Sequence, residues 1–432
     1  MKTHNIDENE DRISDLPNCV LLLILSILNT KEAVQTCVLS TRWKNLWKYI
    51  PVLSISSCHF ETRMGFTIFV YQFLYLRDNK TALHTLDLHR DGVIWPGYLM
   101  WVIKYAFDHG VQLLDVDSTF YYQHYPLPYV LCHTLTSLTL CTNNQFGHPS
   151  SLFPTSLNLP ALTSMCLKYF AFHGSGDDDR AEPFSSFNSL KSLIIHCCVE
   201  EQNLFISSDT LVYLRINTFA IQRCKIELST PSLRSFDFKG NPIQKLSGNN
   251  NNLSSIKHVK IDVAVPSYIE KYPLVLFNWL VELSRIESLT VSSSILETLC
   301  SVPGLWKVDF PYLQNLKLLK IITYRPSAIP ERIVDFLLQK SPLAKAEIID
   351  LTRLSDPQNP GDPQELEKIR TTCVELSHGI GRKCVFGRNS DGLGVVRKSR
   401  VANRIFIPIS VRNIFQTDFV RFSHKRSCGM LD

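Results

Sequence analysis

A short apolar pattern repeats along more than half of this chain and limits the folds that it can adopt. An aliphatic residue is followed by two variable residues, a second aliphatic residue, one variable residue and a third aliphatic residue, as in Leu83-Leu86-Leu88. Copies begin at Leu83, Val111, Leu135, Leu162, Leu190, Leu211, Leu233, Ile256, Ile286 and Leu316, with a degenerate copy at Leu343. Successive copies start 21 to 30 residues apart. The alternation within each copy predicts one short β-strand.

Strands repeated in this way favour a solenoid. One strand with its return segment cannot cover its own apolar face, whereas stacked copies share a core and place their strands in one curved parallel sheet. The spacing resembles that of leucine-rich repeats. The alternative is an α/β domain whose strands are alike by coincidence, and eleven copies at near-regular spacing argue against it.

The repeats are irregular, which affects the expected convex side. Regular leucine-rich repeats carry Asn or Cys where the strand turns, whereas here only Asn143, Cys198 and Asn241 stand at that position. Polar insertions occur at Gly174 to Arg180 and at Gly248 to Asn252. We therefore predict an irregular solenoid over residues 83–328, with a convex side that mixes loops and short helices.

A second apolar pattern occupies residues 12–51. Its parts are Leu16-Pro17, an apolar stretch from Val20 to Leu28, a break at Asn29-Thr30, and Leu39-Ser40-Thr41-Arg42-Trp43. We interpret it as three short helices, with Pro17 in a first turn, Thr30 capping the second helix and Ser40 capping the third. These 40 residues cannot bury so many Leu, Ile, Val and Trp side chains among themselves, so part of the surface must face a partner.

The order and spacing of these residues resemble the F-box of plant F-box/leucine-rich-repeat proteins, although Asn18-Cys19 replaces an acidic pair that many members carry. The resemblance implies a docking module for a Skp-family adaptor and, through it, a cullin. The residues expected to bind the adaptor are Leu16, Pro17, Leu21, Ile24, Leu25, Leu28, Leu39, Ser40, Trp43 and Leu46. The alternative for Leu25, Leu28 and Leu39 is that they form the core of a small helical unit.

The variable residues that flank the inner aliphatic residues of each strand are predicted to face the concave, solvent-exposed side of the sheet. Their charge passes from acidic to mostly basic along the chain, which is typical of a protein-recognition surface. The alternative is an ordinary solvated face. The predicted target-binding residues are His89, Asp115, Asp117, Lys168, His196, Arg215, Asp237, Lys239, His258 and Lys260.

Composition assigns the remaining segments. Residues 1–11 form a polar tail, and residues 52–82 connect the two patterns, with an apolar helix or strand at Phe66 to Tyr75 that caps the solenoid. Residues 329–352 form a terminal repeat that partly resembles the FBD region of many plant members. Residues 353–432 follow a proline-rich linker and carry the net positive charge of the chain, and we predict a basic, loosely ordered tail.

No catalytic or metal-binding constellation is found in the sequence. Nucleophile elbows, phosphate loops and paired metal-ligand motifs do not occur. The 13 cysteines include no Cys-x-x-Cys pair, which indicates reduced thiols. His196 adjoins Cys197, but neighbours on a strand point to opposite faces and cannot easily share one ion. We predict no cofactor, no metal and no enzymatic activity.

The longest apolar run, Cys19 to Leu28, is about half of the ~20 residues that cross a bilayer, so we predict no membrane partner and a cytoplasmic or nuclear location. The first 350 residues are close to neutral, which provides no electrostatic reason to expect nucleic acid.

The predicted fold class is α/β: a small three-helix F-box, followed by an irregular leucine-rich-repeat solenoid with a curved parallel sheet. The resemblance implies the substrate-recognition subunit of an SCF-type ubiquitin ligase, whose target the sequence does not identify. Two alternatives remain open at this point. One is a leucine-rich-repeat scaffold or small-molecule co-receptor that delivers no ubiquitin, and the other is a degenerate family member that has lost its target.

Overall fold

A computed structural model describes residues 13, 15–119, 127, 131–142, 151–154, 157–173, 180–196, 199–200, 203–218, 226–240, 246–248, 252–263, 272–300, 312–323 and 329–351. The predictions for the N-terminal tail, for Asn143, Cys198 and Asn241, for the greater part of both insertions and for the C-terminal tail lie outside these residues. The chain divides into two compact units. The described part of the first unit is residues 13–50 and 59–79, and that of the second is residues 51–58 and 80–351.

The first unit is helical. Its elements are α1 (Asn18–Ile27), α2 (Thr30–Gln35), two 3-10 helices (Thr36–Val38 and Trp43–Tyr49) and α3 (Arg63–Leu76). The helices predicted in residues 12–51 are present, but the third is a 3-10 helix. The apolar segment from Phe66 to Tyr75, predicted as either helix or strand, lies within α3.

Two of the predicted helix caps are wrong. Asn29 caps α2, because its side chain accepts a hydrogen bond from the Glu32 amide at 2.9 Å, and Thr30 is the first helical residue. Arg42 occupies the cap position of the third helix without a capping side-chain bond. Ser40 contributes its backbone carbonyl, which accepts from the Trp43 amide at 3.1 Å. Pro17 lies at the cap position of α1, one residue before the helix.

The core of the first unit joins its short helices to α3. Leu21 and Leu25 of α1 are completely buried. Trp47 packs against Phe73 of α3 with ring centroids 5.3 Å apart. The α3 residues 66, 70 and 73 are fully buried as well, so α3 turns one continuous apolar face inward.

The second unit is built on a twelve-stranded, fully parallel sheet that is curved and open. In spatial order its strands are β1 (Val52–Ser56), β2 (Thr85–Val93), β3 (Leu113–Thr119), β4 (Ser137–Thr142), β6 (Ser164–Lys168), β9 (Ser192–His196), β12 (Tyr213–Thr218), β14 (Ser235–Gly240), β16 (His258–Asp262), β17 (Ser288–Ser292), β18 (Leu318–Thr323) and β19 (Lys345–Asp350). All eleven predicted repeats form strands of this sheet, so the predicted solenoid is confirmed.

The sheet begins one strand earlier than the predicted repeats. β1 lies in the segment that was predicted only to connect the two patterns, and it pairs with β2 through Leu53 opposite Leu86. At the other end, the degenerate last copy forms β19, but Leu343 and Ile348 remain 66% and 56% exposed. Within the described part of the chain, Leu343 and Ile348 therefore do not enter the core.

The secondary structure of the convex side changes along the second unit. Helices occupy the return segments near both ends: α4 (Pro96–Asp108), α5 (Tyr272–Glu282), α6 (Ser293–Cys300) and α7 (Glu331–Gln339). The middle repeats return instead through short strands: β5 (Ser151–Leu152), β7 (Phe170–Phe172), β8 (Arg180–Ala181), β10 (Val199–Glu200), β11 (Asn203–Ser207), β13 (Ile226–Ser229) and β15 (Leu246–Gly248). These strands pair in parallel into two small sheets, which the sequence analysis did not predict.

Large aromatic side chains fill the space between the sheet and its convex cover. Phe170 and Phe172 of β7 are buried beside Phe153 and Phe184, with Phe172 and Phe184 ring centroids 5.5 Å apart. Trp279 of α5 is 1% exposed and packs against β14. These side chains form the core on the convex side of the sheet.

Candidate functional site

The first unit exposes large apolar side chains on α1 and at the end of its first 3-10 helix. On α1, Val20, Leu23 and Ile27 recur at the spacing of one helical face, and Leu23 and Ile27 are 65% and 79% exposed. Val38, which ends the 3-10 helix Thr36–Val38, and Leu39, which follows it, are 50% and 65% exposed. Apolar side chains grouped on an exposed face are typical of a surface that binds another protein.

The structure separates the predicted adaptor-binding residues into two groups. Pro17 and Leu39 are exposed, and the residues at 16, 24, 28 and 40 are partly exposed. Leu21, Leu25, Trp43 and Leu46 are at most 6% exposed, so they form the core behind the surface and cannot contact a partner directly. Val20, Leu23, Ile27 and Val38 are also exposed, although the sequence analysis did not select them. The first three are spaced three and four residues apart on α1, but every face of that helix is apolar, so this spacing did not show which face of the helix is outward.

Hydrogen bonds from Arg42 connect the segment between the two 3-10 helices to the start of α1. The Arg42 guanidinium donates to the Leu16 carbonyl, and also to Asn18 Oδ1 at 3.2 Å. Asn18 is one of the two residues that replace the acidic pair of many family members. Its amide oxygen therefore still accepts a bond from a cation at this position.

In the second unit, the strand register confirms the predicted phase of the repeats. The inner aliphatic residues of neighbouring strands lie opposite one another, as Leu86, Leu114 and Leu138 do, and they are at most 2% exposed. The side chains that alternate with them line the concave face in three rows. The row nearest the start of each strand includes Ser235 and His258, and the two rows further along the strands hold most of the charged side chains. The first of these two rows is Asp87, Asp115, Thr139, Cys166, Ile194, Arg215, Asp237, Lys260, Thr290, Lys320 and Glu347. The second of them is His89, Asp117, Cys141, Lys168, His196, Asn217, Lys239 and Asp262.

An acidic network centred on His89 occupies β2 and β3. The two imidazole nitrogens of His89 approach carboxylate oxygens of Asp117 at 3.2 Å and of Asp91 at 3.4 Å. The hydrogen bond to Asp117, and the charges of both carboxylates, raise the pKa of His89 to about 9. Partial shielding from water raises the pKa of Asp115 to about 6, together with electrostatic repulsion from the carboxylates of Asp87 and Asp117. His89 is therefore a cation that offsets part of a dense negative surface.

We expect His89 to titrate near pH 9 instead of near its ordinary 6.5. Since the folded-state pKa is the higher one, the imidazolium stabilises the fold fully below about pH 6.5, and this contribution is lost as the pH rises towards 9. The imidazole carbon-bound proton shifts in an NMR titration measure the midpoint. Replacing Asp117 with Asn should lower that midpoint markedly, and Asp91→Asn should lower it less. An unchanged midpoint in Asp117→Asn would contradict the assigned cause.

A partly buried polar group lies at the middle of the concave face. Arg215 donates through Nε and Nη2 to Asp237 Oδ2, at 2.7 Å for each bond, and both side chains are only about a tenth exposed. His196 lies 3.0 Å from the Asn217 side-chain amide. Burial, together with repulsion from Lys168, Arg215 and Lys239, lowers the pKa of His196 to about 4, so the ring is neutral.

Tyr169 lies beside this polar group and is hydrogen-bonded to His196 through its backbone. It follows β6 with a positive φ of 63°, an uncommon backbone conformation for a residue other than glycine. Its amide donates to the His196 carbonyl at 2.9 Å, and its carbonyl accepts from the Thr142 hydroxyl at 2.6 Å. Hydrogen bonds to both neighbouring strands thus hold the turn in place.

The predicted target-binding residues are accordingly not equivalent. Asp115 and His258 are exposed, and those at 89, 117, 168, 239 and 260 are partly exposed. His196 and Asp237 are at most 9% exposed, so the expectation that they face solvent is wrong. They lie on the concave face, but neighbouring side chains on adjacent strands cover them. Lys239 pairs with Asp262 at 3.0 Å near the surface.

Two thiols on the concave face were not singled out from the sequence. Cys141 and Cys166 lie on β4 and β6, between the acidic network and Lys168. Burial raises the pKa of both thiols, that of Cys166 to about 11, so both are protonated at neutral pH. Within the described part of the chain, no group of three or more His, Cys, Asp or Glu side chains is arranged to hold a metal ion. Likewise, no helix in that part is long and apolar enough to span a bilayer.

Comparison with known proteins matches both units. The F-box domain model matches residues 13–54. An F-box/LRR-repeat protein of Arabidopsis thaliana is 31% identical over 304 residues, which cover 69% of this chain and 89% of that protein. An F-box protein of the same plant is 27% identical over 347 residues, covering 74% of this chain and 80% of its own length. An F-box/FBD/LRR-repeat protein of that plant is 38% identical over 133 residues, which are 30% of each chain.

A helical F-box unit together with an open parallel sheet of leucine-rich repeats defines the F-box/LRR class of proteins. The extent of the match to the Arabidopsis F-box/LRR-repeat protein places the chain within that class: it belongs to the plant F-box/LRR-repeat family.

Proposed function

We propose that this chain is the substrate-recognition subunit of an SCF-type ubiquitin ligase. The observation that carries the proposal is the exposed apolar face of α1 and of the turn at Val38-Leu39, within a segment that matches the F-box domain. F-box domains generally bind Skp-family adaptors. Burying this face against an adaptor would remove its apolar side chains from water, and the adaptor would connect the chain to a cullin.

The repeat unit would hold the target protein on its concave face. In this proposal the accessible residues 89, 115, 117, 168, 239, 258 and 260 contact the target. Arg215, Asp237 and His196 support the surface from within, because they are largely buried. The chain performs no covalent chemistry and increases the rate of ubiquitin transfer only by holding the target close to the enzyme of the complex. Such a complex would act in the cytoplasm, the nucleus or both.

Co-purification tests this proposal directly. The full chain, affinity-tagged and expressed in plant cells, should bring down a Skp-family adaptor and a cullin in amounts comparable to its own. A version without residues 12–51 should lose both proteins. If the full chain purifies without an adaptor under conditions in which another F-box protein retains it, the proposed function is wrong.

A further inference from the structure

The amino-terminal edge of the large sheet carries a row of residues that sequence analysis did not connect. Each of them directly precedes a strand, and backbone hydrogen bonds join each to the next. The amide of Val212 donates to Lys191, that of Arg234 to Val212, and that of Lys257 to Arg234, each at 2.9 Å. The amide of Glu287 then donates to Lys257 at 2.7 Å, and that of Lys317 donates to Glu287 at 2.9 Å. We call Lys191, Val212, Arg234, Lys257, Glu287 and Lys317 the basic rim.

The charge of the basic rim is concentrated in one half of the edge. The earlier positions along the same line of hydrogen bonds are His84, Gln112, Thr136 and Thr163, which carry no formal charge with His neutral. From Lys191 onward, the row holds four cations, Val212 and Glu287, and all four cations are exposed. Adjacent strands are about 4.8 Å apart, so the rim extends for about 24 Å.

Glu287 divides the basic rim into two parts. Its two carboxylate oxygens pair with Lys257 and Lys317, each at 2.8 Å. The hydrogen bonds from these two lysines lower the pKa of Glu287 to about 2, so the carboxylate stays charged at all physiological pH values. Lys191 and Arg234 lie beyond Lys257 on one side of Glu287. Both are exposed and form no ion pair with a described residue, so they are available to an anionic partner.

We infer that the basic rim binds an acidic segment of the target protein, extended along the edge of the sheet, with a neutral or basic residue opposite Glu287. This rests on the proposed function and specifies the chemistry of the target. Cations on an exposed row attract carboxylates and orient them by complementary charge. An extended peptide of about seven residues matches the length of the rim, at roughly 3.3 Å for each residue.

The carboxylate within the rim favours a peptide over a nucleic acid. A single nucleic-acid strand carries a negative charge on every phosphate, so one phosphate would meet Glu287. A peptide avoids this repulsion because its sequence can place glycine or lysine at that point. The partner is therefore expected to be acidic on both sides of a non-acidic residue.

Binding of labelled peptides to the purified full-length chain tests the inference. The probes are fluorescein-labelled peptides of about eight residues, composed of glutamate alone, of glutamine alone, or of glutamate with one lysine at the third position from an end. We expect saturable binding of both glutamate peptides, with the lysine-containing peptide at least as tight as the all-glutamate one, and no binding of the glutamine peptide. Fluorescence anisotropy at low ionic strength measures the dissociation constants.

Two variants move the affinity in opposite directions. Lys191→Glu with Arg234→Glu should weaken glutamate-peptide binding by about tenfold or more, because two attractive exposed charges become repulsive. Glu287→Gln should strengthen all-glutamate binding by about threefold, because it removes the rim's carboxylate and releases two lysines. The matched control is Lys80→Glu with Lys104→Glu, which makes the same change in net charge at exposed positions away from the rim, and it should bind like the unaltered chain.

Several outcomes would overturn the inference: no saturable binding, equal losses in the rim and control variants, or tighter binding of a single-stranded RNA of equal charge than of the glutamate peptide. Adaptor capture provides the separate readout for the proposed function. Rim variants should capture the adaptor normally. A chain that binds the peptides but never captures an adaptor would refute the ligase function and leave the rim assignment intact.

Discussion

Replacing Leu23 and Ile27 with glutamate should abolish capture of a Skp-family adaptor while leaving the chain folded. The two side chains are among the most exposed apolar groups on the first unit, and they share one face of α1. Full burial of a Leu or Ile side chain contributes about 1.5–3 kcal/mol. The loss of two such contacts corresponds to an affinity at least about 100-fold lower, before the cost of burying the new carboxylates. Titration calorimetry with the purified adaptor measures the change.

A matched variant on α3 separates loss of docking from general damage. Met64 and Ile68 are also exposed apolar residues of the first unit, 68% and 40% exposed, on a different helix. Met64→Glu with Ile68→Glu should therefore retain adaptor binding. Leu25→Ala gives a contrasting signature, since it removes a fully buried side chain and should lower the free energy of unfolding by about 2–5 kcal/mol. Normal adaptor capture by the Leu23 and Ile27 variant would show that the docking face lies elsewhere.

Asp237→Ala should destabilise the repeat unit by about 3 kcal/mol, although it lies on the concave face among predicted target-binding residues. The substitution leaves the Arg215 guanidinium, whose side chain is 12% exposed, without its carboxylate partner. Breaking a buried ion pair in this way costs about 3–5 kcal/mol, and we expect the lower end because some solvent reaches the pair. The shift of the urea denaturation midpoint of the purified chain measures the effect.

Asp262→Ala is the matched control for this prediction. It removes the same type of side chain from the same face of β16, the strand that pairs with β14. Its partner Lys239, however, is 41% exposed. Loss of such a surface pair changes stability by about 1 kcal/mol or less. Replacing both members of the buried pair, as Arg215→Met with Asp237→Leu, should restore much of the stability, because no isolated buried charge remains. Equal effects of Asp237→Ala and Asp262→Ala would contradict the difference in burial that we assign to the two pairs.

The aliphatic repeat determined the architecture of the second unit from sequence alone. Alternation selects which side chains enter the core, so each of the eleven copies could be recognised as a strand without knowledge of its neighbours. The same signal was present in Ile50-Leu53-Ile55, which has the repeat spacing and leads into β1. It was not recognised because it adjoins the F-box segment. The short convex strands were not predictable in this way, because two- to five-residue segments acquire their structure only by pairing with the neighbouring repeats.

The candidate surfaces depended on tertiary structure. On α1 every face is apolar, so the burial of Leu21 and the exposure of Leu23 follow only from where the other helices pack. Asp237 and His196 occupy concave positions as predicted, yet neighbouring strands bury them, and those neighbours lie about twenty or more residues away in sequence. The basic rim lies between determination by sequence and by tertiary structure. Each of its residues directly follows the first aliphatic residue of a repeat, so the repeat phase gives all of them the same lateral position. The pairing of Glu287 with both Lys257 and Lys317 follows only from the tertiary structure. Local alternation is contained in each short segment of sequence, whereas lateral neighbours exist only once the repeats have stacked.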